Sequence, residues 1–484
     1  MNTAGHNVAS ANTPGFSRQR AVMQTTAPWP VPSVNIPAGA GQIGTGVEVA
    51  LIERVRDTFL DRQIRKELSG LGLWEQRRDA LERVEVVFME PGETGLATLL
   101  SQFWDSWQEL SKYPESMPVR TTVIETAQAL AEALRHTHAQ LTTIRNDLNE
   151  LIRLKVDEIN TLARQIADLN QQIFTVKAAG MSPNDLLDRR DLLLEELAKI
   201  AAIEVEPVLI EQGEEKFDTG AARVKLRDAR VNGQQVVLVE WDEQAKKAVA
   251  LGLVSVETPE PGTGAKVYEL YWSKDQNQAL AHDEFGGELS GLLYSRDNLL
   301  RDEYLEQLDQ FARALASEVN GVHDDGRGLD GSTGLHFFAS QAGGSAVGGA
   351  GDLYVNPELV AEVGKLAAAG PGTGTPPPGD GTNALAIARL RREKISGLDG
   401  FTLDDYYKNL IARLGVAAHE AQRMVENQNV LVEQLNKRKE AISGVSLDEE
   451  MVNLIQYQYA YQAAARVITV VDEMLDTLIN RMAR

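Results

Sequence analysis

The sequence predicts a mainly α protein with an inserted β domain: an α+β, multidomain chain built on a long helical bundle or coiled-coil core. Three observations carry this. Apolar residues recur at threes and fours from Val119 to Lys177 and again from Leu414 to Met482. Between these stretches, residues 203–281 switch to short β-rich runs separated by Gly, Asp and Asn turns. Aromatics are only 6% of the 484 residues while Ala, Leu, Gln and Glu abound, which suits long helices with thin seams.

The elements follow in order. "HNVASANTPGFSRQR" (6–20) starts as helix and runs into Asn12, Thr13, Pro14 and Gly15, a turn-and-breaker cluster, so it reads as a helix exit. Residues 21–56 carry Pro28, Pro30, Pro32 and Pro37, then a period of two at Val47, Val49 and Leu51, read as extended chain on a partner surface. A helical hairpin is expected over 57–112, broken at "MEPGETG". In the long helix that follows, Leu141, Leu148, Ile152, Ile159, Leu162, Ile166, Leu169 and Ile173 form a heptad stripe. Arg145 and Lys155 fall on the same stripe and are expected to snorkel to water.

A further helix around residues 184–200 precedes the β segments. Helix resumes at Gly286 and gives way to a Gly-, Ser- and Pro-rich irregular region at 324–382, with a short strand at 353–355 and a helix at 357–368. Two final helices carry seams. The first has Leu414, Ala417, Ala421, Met424, Gln428, Leu431 and Leu435; the second has Leu454, Tyr457, Tyr461, Ala464, Ile468, Val471, Leu475, Leu478 and Met482. The segmentation is therefore 1–56, a helical core at 57–202, an inserted β domain at 203–285, helical core again at 286–445, and a terminal helix at 446–484.

Charge and composition exclude whole classes of function. With 48 Lys plus Arg against 70 Asp plus Glu the net charge is −22, which repels nucleic acid and anionic membranes. No run is apolar for the length of a membrane span, and the N-terminus lacks the charged-then-apolar pattern of a secretory signal. Zero Cys removes disulfides, thiolate nucleophiles and Cys-ligated metals.

No catalytic, cofactor or metal site emerges. "GAGQIG", with Gly39, Gly41 and Gly44, copies a dinucleotide glycine pattern but follows prolines and precedes extended chain, so no helix N-terminus would hold a pyrophosphate. His136 and His138 sit two apart on a helix and point to different faces, whereas zinc needs converging ligands. "HDDGRGLDGSTG" (323–334) misses the calcium-loop spacing and reads as turn chemistry. The carboxylates of "NDLLDRRD" (184–191) and "LDEEM" (447–451) come without a base or nucleophile and read as solvated helix starts.

At both ends the residues resemble a known family. "HNVASANTPGFSRQR" is similar to the N-terminal signature of bacterial flagellar axial proteins (rod, hook and hook-associated), and "SGVSLDEEMVNLIQYQYAYQAAARVITVVDEMLDTLINR" to their C-terminal one. "SRQR" after Phe16, "NDLLDRRDLLLEEL" and "GGELSGLLYSRDNLL" resemble the hook–filament junction members in particular.

The resemblance implies a structural, non-enzymatic protein of the flagellum without cofactors, assembling helically with like subunits, hook protein and the next hook-associated protein. It implies type III export without a cleaved signal peptide, an extracellular position at the junction, and an export chaperone on the C-terminal helix. It assigns the axial motif to His6, Asn7, Asn12, Thr13, Pro14, Gly15, Phe16, Ser17 and Arg18, and the assembly seam to Leu454 through Met482. Family members carry a further helix before the His-Asn motif, so the motif is expected to be the exit of a terminal helix that this chain lacks. A hook or rod subunit is the alternative within the family, and an enzyme with a site in the β domain is the alternative outside it.

Overall fold

The computed structural model describes residues 1–29, 44–88, 95–212, 215–260, 264–341, 344 and 346–481. Pro30, Pro32, Pro37, Gly39, Gly41, the helix break at 89–94 and Met482 lie outside the described residues.

A short helix α1 (Asn2–Ser10) leads into an antiparallel ribbon of β1 (Gln19–Thr25) and β2 (Val47–Arg54), with Gln19 opposite Arg54 and Thr25 opposite Val47. The alternation at 47–51 does mark a strand, paired edge to edge with β1, and Val47, Val49 and Leu51 remain exposed. The sequence reading missed β1. Then come α2 (Thr58–Phe88), α3 (Leu96–Lys112), the 62-residue α4 (Met117–Ala178) and α5 (Asn184–Ile200). At 1.5 Å per residue α4 is about 93 Å long. Every residue of its predicted stripe, from Leu141 to Ile173, is buried.

The β region forms two antiparallel sheets. One has four strands in the order β3 (Ile203–Gln212), β4 (Glu215–Val231), β5 (Gln234–Asp242) and β6 (Lys247–Ala250). The other has three, β7 (Leu253–Pro259), β8 (Lys266–Trp272) and β9 (Asp275–Ala279). The chain enters and leaves this region at one point, where the Ala202 N–H donates to the Phe285 carbonyl at 2.7 Å.

Three asparagines of α4 fasten the strands to the helix, each by both ends of its amide. Asn170 donates to the Ala222 carbonyl and accepts from the Ala222 N–H, and Asn160 does the same with Leu253. Asn149 donates to the Lys266 carbonyl and accepts from the Tyr268 N–H. Backbone groups that would otherwise be buried unpaired are satisfied in this way, and Val224, Leu226, Trp241 and Leu253 join α4 in one continuous apolar core.

Arg145 does not snorkel. Only 6% exposed, it pairs with Glu260, because the β region covers this side of α4 and leaves no water to reach. Lys155 remains half-buried and holds Glu158 and Glu288.

Helix then returns as α6 (Gly287–Tyr294), a wider π-helical stretch over Ser295–Leu305, and α7 (Glu306–Asp325). The Gly- and Pro-rich region that follows is packed. Phe337 and Phe338, the latter in the two-residue β10 (Phe338–Ala339), stack with Phe103 and Trp107 of α3 at centroid distances of 4.8–6.3 Å. β11 (Tyr354–Val355) pairs with β10, and α8 (Pro357–Ala361) stops well short of the predicted residue 368. Leu366 to Ala369 instead run irregularly through the core, with the Ala369 backbone paired to buried Arg327.

After α9 (Thr382–Leu390), α10 (Leu403–Ser443) packs antiparallel on α2, as the contacts of Phe88 with Tyr407 and of Leu71 with Val425 and Val432 require. Its predicted seam holds to Ala421 and then shifts: Val425 and Val432 are buried while Leu431 is 46% exposed. An α-helix turns by 3.6 residues, so a strict heptad drifts off the contact face of a straight helix pair. The last helix, α11, spans Leu447–Asp476.

Candidate assembly interface

α11 is built as a strong helix whose faces are uncovered beyond its first turns, where α1 meets it. Ser446 caps it by accepting from the Glu449 N–H, and Asp448, Glu449 and Glu450 fill its first turn, where the helix dipole favours anions. Glu450 is its one buried residue. Of the predicted seam, Leu454 is half-buried, whereas Tyr457, Tyr461, Ala464, Ile468, Val471, Leu475 and Leu478 are exposed, Ile468 to 70%.

A second row escaped the sequence reading. Val452, Ile455, Tyr459, Val470 and Met474 are also exposed and lie roughly a third of a turn round the helix at 3.6 residues per turn. Such a width of uncovered apolar surface is rare on soluble monomers and marks an interaction face.

The N-terminal motif fastens the base of this helix to the body. α1 ends in the turn over Ala11–Gly15, as the breaker cluster predicts, with the Thr13 N–H donating to the Ser10 carbonyl. Gly15 adopts φ +76, a conformation that favours glycine, and packs against Leu192. Asn7, 1% exposed, exchanges two hydrogen bonds with the Gln19 backbone, at 2.9 and 3.0 Å. His6 touches Asp185 at 3.2 Å and stands edge-on to Phe16.

Ser17 gives its N–H and its hydroxyl to the two oxygens of Asp188, at 2.9 and 2.8 Å. Arg18 reaches Glu450 at 2.8 Å and Glu449 at 3.0 Å, while its backbone N–H donates to the Ser443 carbonyl at 2.8 Å. Asn12, Thr13 and Pro14 engage less: they are exposed and line a groove of about 730 Å3 against residues 436–449.

Asp188 belongs to a buried ionic lattice. Arg54, at the end of β2, bonds Asp188 and Asp191 at 2.7 and 2.9 Å. Arg56 bonds Asp61 at 2.7 Å and reaches Asp188, Asp191 and Glu195 within 3.5 Å. Burial alone would raise the Asp191 carboxyl, but the guanidiniums of Arg56, Arg190 and Arg54 outweigh it and hold the group below the usual carboxylate range.

The reading of "NDLLDRRD" and "LDEEM" as solvated helix starts is therefore corrected. Asp188, Asp191 and Glu450 are buried because cations from segments more than a hundred residues away reach them. A local signal was available: Asp188, Asp191 and Glu195 share one helix face at spacings of three and four, opposite Arg54 and Arg56.

Elsewhere Asp330 caps its own turn through Ser332, and Gly44 leads into a strand, not a helix. His136 is exposed, and His138 is half-buried 3.7 Å from Asp309. Among the described residues no group of three or more His, Cys, Asp or Glu is placed to hold a metal ion, and no helix is long and apolar enough to cross a membrane.

Known proteins are similar to this chain over its whole length. A family model described as the flagellar hook-associated protein FlgK helical domain matches residues 81–338. A second, the flagellar basal body rod FlgEFG protein C-terminal, matches residues 441–482. Flagellar hook-associated protein 1 of Bacillus subtilis is 33% identical over all of this chain and 95% of its own length. That of Escherichia coli is 26% identical over 99% and 96%. The solved flagellar hook junction protein FlgK from Burkholderia pseudomallei is similar in fold, with a TM-score of 0.62 at 18% identity over 79% of this chain and all of that one.

Proposed function

The chain belongs to the flagellar hook-associated protein 1 family, and on that premise we propose that α11 and the turn at residues 11–18 make its subunit contacts in the flagellar axis. Members of this family are structural axial components of the flagellum at the hook–filament junction, assembling with hook and other flagellar components. In our reading this chain acts without catalysis. It packs against copies of itself, hook protein and the next hook-associated protein, and it is exported unfolded without a cleaved signal peptide to the outside of the cell.

The proposal includes the division of labour along the chain. Residues 1–56 and 446–484 form the axial layer, 57–202 with 286–445 the helical body, and 203–285 an outer insertion. In the cytoplasm an export chaperone would cover α11, where two apolar rows otherwise face water.

The exposure of the α11 seam above a fixed base carries this reading. The test is Leu475→Asp in motile cells. If the seam packs only in the assembled axis, the aspartate must enter an apolar helix contact in every subunit. The expected outcome is normal protein levels, failed junctions and filament subunits shed into the medium. Leu475→Met, nearly conserving volume, should build normal filaments. Normal filaments with the aspartate would remove α11 from the contact.

A further inference from the structure

We propose that the cleft between the start of α2, α5 and the β3–β4 hairpin binds one small inorganic oxyanion of phosphate type, held by Arg62, Arg65 and Arg190. The cleft has a volume of about 490 Å3 and is lined by six cations, Arg54, Arg56, Arg62, Arg65, Lys177 and Arg190, in a chain whose net charge is −22. Three of these are neutralised at contact distance: Arg54 and Arg56 by the buried aspartates, and Lys177 by Asp218 at 2.7 Å.

Among the described residues the other three have no carboxylate oxygen closer than 3.9 Å. Arg65 is only 9% exposed, yet among the described residues its guanidinium makes no hydrogen bond and has no carboxylate oxygen within 4 Å. Asp61, Asp191 and Glu195 act on it only through space. Arg190 gives one nitrogen to the Asn170 amide and the Gly220 carbonyl and has Asp191 only at 3.9 Å, and its Nε is buried with no acceptor. Arg62, one turn before Arg65 on the same face of α2, is exposed and has no ion pair among the described residues.

A guanidinium carries five N–H donors in a rigid fork, and leaving them unmet out of water is costly. Burial accordingly pulls both Arg65 and Arg190 below the usual arginine pKa. A tetrahedral oxyanion supplies acceptors to two forks at once and balances their charge. The walls select for small size. Ile173, Leu194, Val205 and Ala221 offer nothing to an extended hydrated ion, and Asp61, Asp191 and Asp218 repel polyanions.

The test titrates the intact chain with inorganic phosphate at constant ionic strength, with chloride as the balancing ion, followed by calorimetry and 31P line broadening. One saturable site with a dissociation constant below ~10 mM is expected, together with a higher thermal midpoint in phosphate than in chloride. Arg62→Gln, at an exposed position, should weaken binding about tenfold without changing the fold. Arg65→Met should abolish binding and raise the midpoint in chloride, because a desolvated charge is gone. Should Arg65→Met fail to fold, the direct titration and Arg62→Gln decide. No saturable binding, or an equal phosphate effect in wild type and Arg62→Gln, would overturn the proposal.

Discussion

α4 and α11 carry the same kind of apolar period, yet one lies inside the molecule and the other has no cover. Ile152, Ile159, Ile166 and Ile173 of α4 are wholly buried, whereas Tyr461, Ile468, Val471 and Leu475 of α11 face water. Their periodicity does not distinguish them. What differs is the rest of the chain: α4 has strands, α5 and three asparagine staples set against it, while α11 is held only near its base, by α1 and Arg18. A heptad thus states that a helix needs a neighbour and is silent on whether that neighbour belongs to the same chain.

The sharpest way to test this contrast is to place one charge in each stripe. Ile166→Asp should abolish cooperative folding of the purified chain. The lost isoleucine alone costs about 2–5 kcal/mol, and an unpaired buried carboxylate adds to that. Chemical denaturation measures it, and a stable Ile166→Asp chain would mean that α4 is not the keel of the fold.

Asp188→Ala comes next. It takes from buried Arg54 and Arg56 one of the two aspartates they share and unties Ser17, so a loss of about 3–5 kcal/mol is expected. Hydrogen exchange should then quicken from α1 through β2 before the α4 core responds.

Lowering the pH should loosen the packed region and spare α11. Burial, with smaller contributions from His336 and Arg120, lowers the His323 pKa from 6.5 to about 4. In the neutral ring Nδ1–H donates to the Leu335 carbonyl while Nε2 accepts from the Ala367 N–H, an arrangement that a second ring proton would break. A group whose folded pKa is lowered binds its proton more readily when unfolded. Its stabilisation is therefore complete above pH 6.5 and is lost as the pH falls towards 4, on the order of 3 kcal/mol in all. His323→Gln should flatten this part of the stability profile; an unchanged slope between pH 6.5 and 4 would show the ring to be open to water.

Asn170→Ala, removing one staple, strips the Ala222 backbone of both partners and Arg190 of one. About 1–3 kcal/mol should be lost, with faster exchange confined to β3–β4. The smallest effect belongs to α11. In the purified chain Leu475→Asp should shift stability by no more than about 0.5 kcal/mol, since that side chain is already half in water. A larger loss would mean that α11 docks on its own body in solution.

How much of this was legible in the sequence depended on range. The stripe of α4 and the strands of the β region were readable because side-chain period and backbone geometry are local matters. Arg145 was misread, because whether a cation on a stripe meets water depends on Glu260, more than a hundred residues away. Asp188 and Asp191 looked like surface charges for the same reason. The glycine- and proline-rich stretch after α7 looked loose by composition, while Phe337, Phe338 and Leu366 within it are core residues. The axial motif was recognised by resemblance, but its partners on α5 and at the start of α11 were not.

The knot of bonds around Arg18 has a mechanical consequence. Its backbone amide holds Ser443, its carbonyl accepts from the Val55 N–H, its side chain grips Glu449 and Glu450, and its neighbour Ser17 is locked to Asp188. A pull or twist on α11 therefore enters the body at one small joint and spreads at once into β2, α5 and α10. The strands of residues 203–279 join this path at α5, where Arg190 donates to the Gly220 carbonyl of β4.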